Sequence, residues 1–263
     1  MLRLTGIRKV FYPHSVNERV ALRSIDLHLA PGDFVTVIGS NGAGKSTLLN
    51  VISGRILADA GDVVIDGQSV TRMPEYRRAR MVARVFQDPM AGTAPHLTIE
   101  ENLSIAHARG RGSGLRRAIT RAKRARFREE LATLELGLED RLGTPVGMLS
   151  GGQRQALSLL MATYVQPKIL LLDEHTAALD PSRAALISRL TTVAIERNHL
   201  TALMVTHNMS QALAMGNRLV MMHDGAIVLD VPAAEKDRLT PQHLLDEFAR
   251  IKGAAFSDRT LLD

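Results

Sequence analysis

The stretch GSNGAGKST, residues 39–47, decides the fold because of the segments that flank it. FVTVIG, which ends at Gly39, is a short apolar run typical of a buried strand. KSTLLNVISG, which begins at Lys45, has the apolar spacing of a helix that ends at Gly54. A strand, a loop with G-x-x-x-x-G-K-[ST] spacing and a helix, in this order, predict a phosphate-binding loop (P-loop) rather than a chance glycine turn.

The residue types of the P-loop suit a nucleoside triphosphate. Its glycines allow a tight backbone whose N–H groups can face phosphate oxygens. Lys45 can reach the β- and γ-phosphates, and the Ser46 hydroxyl can bind Mg²⁺. The predicted nucleotide-binding residues of the loop are Gly39, Ser40, Asn41, Gly42, Ala43, Gly44, Lys45, Ser46 and Thr47.

The rest of the chain alternates strand and helix patterns, which predicts an α/β fold, a P-loop NTPase core with a mostly parallel sheet. VALRSIDLHLA and a hairpin turn at Asp66-Gly67 predict an N-terminal antiparallel β subdomain. A second hairpin is expected at Asp224-Gly225. We predict one domain over residues 1–230 and a polar, helical C-terminal appendage over residues 231–263.

A helical lobe is predicted as an insertion in this domain, over about residues 88–149. Thr98 and Glu101 have the T-x-x-E spacing of a capping box that begins a helix. A second helix is indicated by apolar residues at helical spacing, namely Phe127, Leu131, Leu134 and Leu138.

The segment ILLLDE, residues 169–174, is an apolar run that ends in two adjacent carboxylates. Open α/β sheets bind their ligands at the carboxyl ends of strands, where these side chains should lie. Asp173 can hold Mg²⁺, and Glu174, on the other side of the pleat, can orient the attacking water or accept its proton. Acidic residues also commonly just end a strand, and the P-loop favours the functional interpretation.

Two further polar residues follow apolar runs, Gln87 in RVFQDP and His207 in TALMVTH. A lone histidine at a strand end more commonly caps the strand or satisfies a core polar group. Both residues are expected at the same sheet edge, which favours a position near the γ-phosphate.

The composition of the 263 residues is that of an ordinary soluble α/β protein. No apolar run approaches the roughly 18 to 20 residues of a membrane-spanning helix, and the first residues lack the apolar core of a signal peptide, so we expect a cytoplasmic protein. The absence of cysteine excludes disulfides, thiolate metal sites and thiol redox chemistry. The net charge of +6 suggests anionic partners.

Basic residues concentrate in one segment, which we call the arginine-rich segment. A solvated helix face is the common explanation for such a run, and a docking surface for nucleic acid or lipid head groups is the alternative. The segment contains Arg109, Arg111, Arg116, Arg117, Arg121, Lys123, Arg124, Arg126 and Arg128.

The stretch MLSGGQRQAL, residues 148–157, has two adjacent glycines where a helix should begin. Ser150 and Gln153 have the S-x-x-Q spacing of a capping box, which explains them without a ligand. Gly151 and Gly152 each cost a helix about 1 kcal/mol relative to alanine. This cost suggests that another group approaches the backbone closely.

LSGGQ, together with GSNGAGKST and ILLLDE, resembles the ATPase subunit of an ATP-binding cassette (ABC) transporter over about residues 2–230. The resemblance implies two ATPase domains arranged head to tail, with each ATP and its Mg²⁺ held between the P-loop of one and the LSGGQ of the other. Ser150, Gly151, Gly152 and Gln153 would then bind the γ-phosphate held by the partner.

The resemblance also implies roles for residues outside these motifs. It implies that Gln87 couples Mg²⁺ and nucleotide to a permease, that Asp180 forms the cross-interface loop and that His207 senses the γ-phosphate. Phe11, in Lys9-Val10-Phe11, is the expected adenine-stacking aromatic, with Tyr12 as the alternative and core packing as the other use of a strand aromatic. The implied catalytic set is Glu174, His207, Gln87 and Lys45, and the implied metal ligands are Ser46, Gln87 and Asp173.

A single set of motifs without membrane helices implies half of an ATPase dimer that drives separate transmembrane permease subunits from the inner face of the membrane. FQDPMAGT and DEHTAALD are similar to a bacterial branch that works with a periplasmic substrate-binding protein, so import of a small solute is expected. The second copy is this chain or a homologous subunit. An exporter of lipid or peptide is the alternative within the family, and an ATPase acting on nucleic acid or ribosomes, which usually has two cassettes or a long coiled-coil insert, is the alternative outside transport.

The chain departs from the family pattern at two positions near Glu174. His175 stands where proline is common, and Ala177 stands where serine is common. Neither change removes a phosphate ligand, so an active ATPase is still predicted.

Overall fold

Two β-sheets organise the chain in the computed structural model, which describes residues 1–109 and 119–260. The strands in these ranges, numbered along the chain, are β1 (Leu2–Phe11), β2 (Arg19–Leu29), β3 (Phe34–Gly39), β4 (Ala60–Ile65), β5 (Gln68–Ser69), β6 (Val82–Val85), β7 (Ile169–Asp173), β8 (Thr201–Val205), β9 (Arg218–His223) and β10 (Ala226–Val231).

The two sheets differ in strand direction as the sequence predicts. The first is antiparallel, with the order β2-β1-β4-β5. The second has the order β10-β9-β3-β8-β7-β6, in which only β10 runs antiparallel to its neighbour. Both predicted hairpin turns are confirmed, because Asp66-Gly67 and Asp224-Gly225 have the paired positive φ angles of a two-residue type I′ turn.

Helices cover the second sheet and form the lobe. In the described ranges they are α1 (Lys45–Ser53), α2 (Glu75–Arg78), α3 (Ile99–Ala108), α4 (Arg121–Ala132), α5 (Gly151–Thr163), α6 (Pro181–Arg197), α7 (Met209–Ala214), α8 (Ala233–Lys236) and α9 (Pro241–Thr260), with short 3-10 turns at Pro89–Gly92 and Val146–Met148. Among these helices, none combines the length and apolar character needed to cross a membrane.

The second sheet is buried on both faces, which explains why its strands read as continuous apolar runs. In β7, Leu170 and Leu172 pack into a cluster with the helical lobe, α5 and α6. Ile169 and Leu171, on the opposite face, pack into a cluster with α1 and the antiparallel sheet. The carboxyl end of β7 is thereby fixed between the two layers.

The helical lobe begins at the predicted capping box. The backbone N–H of Thr98 donates to Glu101 Oε2 at 2.7 Å, and the N–H of Glu101 donates to Thr98 Oγ1 at 3.3 Å. Phe127 and Leu131 are buried on α4.

The prediction of one helix through Leu138 is wrong, because α4 ends at Ala132. The chain then turns through Glu135 and Gly137, both with positive φ. Leu134 and Leu138 are nevertheless buried in the same cluster as α4, so burial by a turn produced the same apolar spacing as a helix.

The arginine-rich segment is described only in part, since residues 110–118, and with them Arg111, Arg116 and Arg117, lie outside the described ranges. On α4 its arginines are exposed, as both a solvated helix face and a docking surface require. Arg124 forms two hydrogen bonds with the Glu100 carboxylate, at 2.6 and 2.8 Å.

The described part of the C-terminal tail contains α8 and α9, and it is not wholly polar. Leu244 of α9 is fully buried in a cluster with Ile38 of β3 and Leu219 of β9. Lys236 of α8 is buried and donates to the carbonyl oxygen of Gly216 at 2.8 Å, and this burial lowers the pKa of Lys236 to about 8. The tail is therefore anchored to the second sheet.

Candidate nucleotide site

The P-loop closes around the side chain of Lys45, the first residue of α1. Its ammonium donates to the carbonyl oxygens of Gly39, at 2.6 Å, and Ser40, at 3.0 Å. Burial lowers the pKa of Lys45, and the negative charges of Glu174 and Asp173 oppose that shift. A cation is thus held at the centre of the loop, with two carboxylates close by.

Two loop glycines are required by space as well as by backbone conformation. Gly44 has a φ of +100°, and a Cβ there would lie 2.5 Å from the carbonyl oxygen of Ala21. A Cβ at Gly39 would lie 2.3 Å from the carbonyl oxygen of Met222. Glycine therefore lets the loop lie directly against β2 and β9.

A cleft of about 200 Å³ opens over the loop. Phe11 lines it, and Lys9 Nζ lies 5.8 Å from the centre of the Phe11 ring. Tyr12 does not line it, and its side chain is 70% exposed. The lining residues are Phe11, Arg19, Ala21, Asn41, Gly42, Ala43, Gly44, Lys45, Ser46, Thr47 and Glu174.

The sheet edge brings Glu174 and His207 together. They follow β7 and β8, which are adjacent and parallel, so their loops leave the sheet side by side. His207 Nδ1 lies 3.3 Å from Glu174 Oε2, and the backbone N–H of Glu174 donates to the carbonyl oxygen of Val205 at 2.9 Å. A carboxylate that contacts an imidazole therefore faces the cleft beside Lys45.

Asp173 is paired with a residue that sequence reasoning missed. Arg84 of β6 donates from Nη2 to Asp173 Oδ2 and from Nη1 to Asn50 Oδ1, the latter at 2.6 Å. The only sequence signal was a charged residue inside the apolar run VARVF.

Gln87 follows β6 and is exposed. Its neighbour Phe86 accepts a hydrogen bond, at 3.1 Å, from the side-chain amide of the buried Gln155 on α5. The segment of Gln87 is therefore tied to the helix that begins with LSGGQ, a link that the sequence did not indicate.

The LSGGQ residues begin α5 with the predicted capping box. The backbone N–H of Gln153 donates to Ser150 Oγ at 3.3 Å, and the N–H of Ser150 donates to Gln153 Oε1 at 3.1 Å. A Cβ at Gly152 would lie 3.1 Å from Cδ of Arg183, whose side chain is half exposed and would have to shift by a few tenths of an ångström. Gly151 has no such contact, the nearest atom lying 3.7 Å away. None of residues 150–153 lines the cleft of the same chain.

Asp180 caps the N-terminus of α6. Its carboxylate accepts from Ser182 Oγ at 2.6 Å and from the backbone N–H of Arg183 at 3.1 Å. The hydrogen bond from Ser182, with that from Arg183, lowers the pKa of Asp180. This cap is a structural role that the sequence interpretation had not included.

The oxygen donors near the loop suit Mg²⁺. Ser46 lines the cleft and offers a hydroxyl, and Asp173 offers a carboxylate whose charge acts on Lys45. Mg²⁺ is commonly bound through one or two carboxylates plus phosphates and waters. Among the described residues there is no cluster of three or more His, Cys, Asp or Glu side chains that would bind a metal alone. The donor set therefore fits a nucleotide-associated Mg²⁺.

Residues 22–177 match the sequence profile of the family described as ABC transporter. The chain belongs to this family. It is 43% identical, over 249 residues, to the tyrosine transport ATP-binding protein of Clostridioides difficile, an alignment that covers 94% of this chain and 98% of that protein. It is 34% identical, over 231 residues, to an aliphatic sulfonates import ATP-binding protein of Rhodopseudomonas palustris, an alignment that covers 88% of this chain and 74% of that protein.

Solved structures agree with the family assignment. A dimeric post-hydrolysis ATP-binding cassette bound to ADP and Pi is 28% identical, with a TM-score of 0.76 over 89% of this chain and 99% of that one. A dimeric bacterial ABC transporter cassette gives a TM-score of 0.75 over the same shares. The predicted family and fold class are confirmed: this chain is an ABC ATP-binding cassette.

Proposed function

We propose that this chain hydrolyses ATP as a subunit of an ABC importer and that two copies, or one copy and a homologous subunit, enclose two Mg-ATP. The observation that carries the proposal is the separation of two half-sites. The P-loop cleft is lined by residues 41–47 of its own chain, whereas residues 150–153 begin a helix outside that cleft. The second half of each site is then supplied by the partner, and the dimeric cassettes with a TM-score of 0.76 and 0.75 support this arrangement.

Different residues of the site contact different parts of the nucleotide. Phe11, at one wall, stacks on adenine, while Tyr12 is the alternative that the geometry supports less. Residues 39–47 and the Lys45 ammonium bind the phosphates. Ser46, Gln87 and Asp173 hold Mg²⁺, which neutralises charge on the β- and γ-phosphates.

Hydrolysis depends on two residues at the carboxyl ends of β7 and β8, Glu174 and His207. Glu174 orients the attacking water and accepts its proton, and its position in the cleft beside Lys45 supports that role. His207 contacts the γ-phosphate and fixes the Glu174 carboxylate, a role supported by the 3.3 Å separation between His207 Nδ1 and Glu174 Oε2. Once the γ-phosphate is cleaved, Ser150, Gly151, Gly152 and Gln153 of the partner lose their shared ligand. The two copies then separate.

The separation is transmitted to transmembrane permease subunits at the inner face of the membrane. The hydrogen bond between Gln155 and Phe86 supports a path from the LSGGQ helix to the Gln87 segment, and Asp180 contributes the loop that lies across the interface. Import of a small solute, with a periplasmic substrate-binding protein as a further partner, is supported by the names of two relatives, which refer to tyrosine transport and aliphatic sulfonate import.

The proposal is tested with Glu174→Gln, and with Glu235→Gln, a surface change on α8, as the control. With Mg-ATP, the Glu174→Gln variant should bind nucleotide, stop turnover and elute as a dimer in size-exclusion chromatography with light scattering. The wild type and the control should hydrolyse ATP and remain mostly monomeric. Hydrolysis by Glu174→Gln at the wild-type rate would overturn the assignment of the base, and a monomer under these conditions would overturn the shared site.

A further inference from the structure

Arg84 is a charged residue in the middle of a buried strand. Its neighbours in β6, Ala83 and Val85, are part of the core, and its own side chain is only 10% exposed. Burying a guanidinium is unfavourable unless its donors are satisfied and its charge is paired. Its charge is paired with Asp173, whose side chain is 15% exposed, and its Nη1 and Nη2 atoms donate hydrogen bonds, whereas its buried Nε has no hydrogen-bond partner among the described residues.

The guanidinium joins the end of β7 to α1, the helix that follows the P-loop. Nη2 donates to Oδ2 of Asp173, at the end of β7, and Nη1 donates to Oδ1 of Asn50, at 2.6 Å. Asn50 lies on α1, the helix that begins with Lys45 and Ser46. A rigid, planar fork therefore sets the position of the Asp173 carboxylate relative to α1.

The guanidinium of Arg84 also packs on an aromatic ring. Its Cζ atom lies 4.9 Å from the centre of the ring of Phe86, the first residue after β6. Asp173 Oδ1 receives no hydrogen bond within residues 1–109 and 119–260, whereas Oδ2 is taken by Arg84. One carboxylate oxygen is thus anchored and the other is left for a ligand.

We propose that Arg84 is a positioning residue for the Mg²⁺ of the nucleotide site. It fixes the Asp173 carboxylate so that Oδ1 faces the metal and its waters while Oδ2 stays bound to the protein. This inference rests on the proposed function, because Mg-ATP must bind at the P-loop. Side chains that orient a metal-binding carboxylate typically contribute about 10- to 100-fold to metal affinity or activity.

The experiment compares Arg84→Met and Arg84→Lys with Arg189→Met, all in the Glu174→Gln background to prevent turnover. Arg189→Met is the matched control because it removes another arginine–carboxylate pair, the exposed contact with Glu135 on the surface of α6. The measured quantity is the ratio of ATP affinity in Mg²⁺ to ATP affinity in EDTA, obtained by displacement of a fluorescent ATP analogue.

Arg84→Met should leave the affinity in EDTA within about twofold and reduce the Mg²⁺-dependent gain by about 10-fold or more. Arg84→Lys, which keeps the charge but not the planar fork, should show a smaller reduction, and Arg189→Met should match the parent. With Glu174 restored, the Mg²⁺ concentration for half-maximal hydrolysis should rise in the same order.

An unchanged ratio in folded Arg84→Met would overturn the inference, and so would a tighter Mg²⁺ dependence, which would mean that Arg84 competes with the metal. Melting temperatures establish folding, and if Arg84→Met does not fold, an unchanged ratio in Arg84→Lys is the overturning result. If the parent and Arg189→Met also show no Mg²⁺-dependent ATP binding, the proposed function itself fails, and the role of Arg84 fails with it.

Discussion

His175 should make the protein lose stability in mild acid. The side chain is 2% exposed, and its Nε2 lies 3.0 Å from Thr191 Oγ1. The Thr191 hydroxyl donates to the carbonyl oxygen of Ile187 at 2.8 Å, so the histidine must donate its Nε2–H to Thr191. Burial lowers the pKa of His175 from 6.5 to about 4, because removing the ring from solvent disfavours its charged form.

The direction and size of the effect follow from this pKa. Below about pH 6.5 the unfolded chain binds a proton at His175 that the native protein does not bind, so the free energy of unfolding falls as the pH falls towards 4. At 1.36 kcal/mol per pKa unit, the whole shift corresponds to about 3 kcal/mol, of which about 2 kcal/mol is lost by about pH 5. Above pH 6.5 the contribution is fully present.

His175→Gln tests this reasoning, since the glutamine amide can still donate to Thr191 but does not titrate in this range. Urea unfolding at about pH 7.5 and pH 5 gives the pH-dependent loss for each protein. The wild type should lose about 2 kcal/mol more than His175→Gln, while His96→Gln, at an exposed histidine, should behave like the wild type. Equal losses in the wild type and His175→Gln, within about 0.5 kcal/mol, would refute the assignment of a buried neutral histidine.

Two further predictions concern stability. Gly44→Ala forces a Cβ to 2.5 Å from the Ala21 carbonyl oxygen at a φ of +100°, so it should lower the free energy of unfolding by about 1 to 3 kcal/mol and weaken ATP binding. Gly67→Ala, at a turn where no atom lies within 4 Å of the added Cβ, is the control for backbone strain alone, and an equal effect of both substitutions on ATP binding would contradict the steric argument. Arg78→Met removes a buried guanidinium that donates to the carbonyl oxygens of Val51 and Ile52 at the end of α1. It should lower the free energy of unfolding, measured in urea, by about 2 to 4 kcal/mol, whereas a loss below about 0.5 kcal/mol would show that these carbonyls find other donors.

The P-loop and the strand-end carboxylates were predictable because their signals are local. A buried strand, a glycine loop and a helix follow one another within residues 34–53, and each part is recognisable from its own residues. The meeting of Glu174 and His207 was also predictable, since parallel neighbouring strands deliver their following residues to one edge.

The contacts that were missed depend on strand register and on packing between distant segments. Arg84 reaches Asp173 because β6 pairs with β7 in a register that places Arg84 opposite Leu171, which no local pattern specifies. The side chain that approaches Gly152 within the chain is that of Arg183 on α6, a neighbour far along the chain that the sequence did not indicate. Leu134 and Leu138 led to the incorrect prediction of a helix through residue 138. A turn that folds back onto the core buries apolar residues at a spacing similar to that of a helix.

The central claim is that ATP at the P-loop of one copy is completed by residues 150–153 of another. Its most direct test is the structure of the Glu174→Gln variant with Mg-ATP, in which the distance from the γ-phosphate oxygens to Ser150 Oγ of the facing copy is measured. The account predicts a hydrogen bond of about 3 Å across the interface. A nucleotide-loaded assembly of this hydrolysis-deficient protein in which residues 150–153 face only solvent would contradict it.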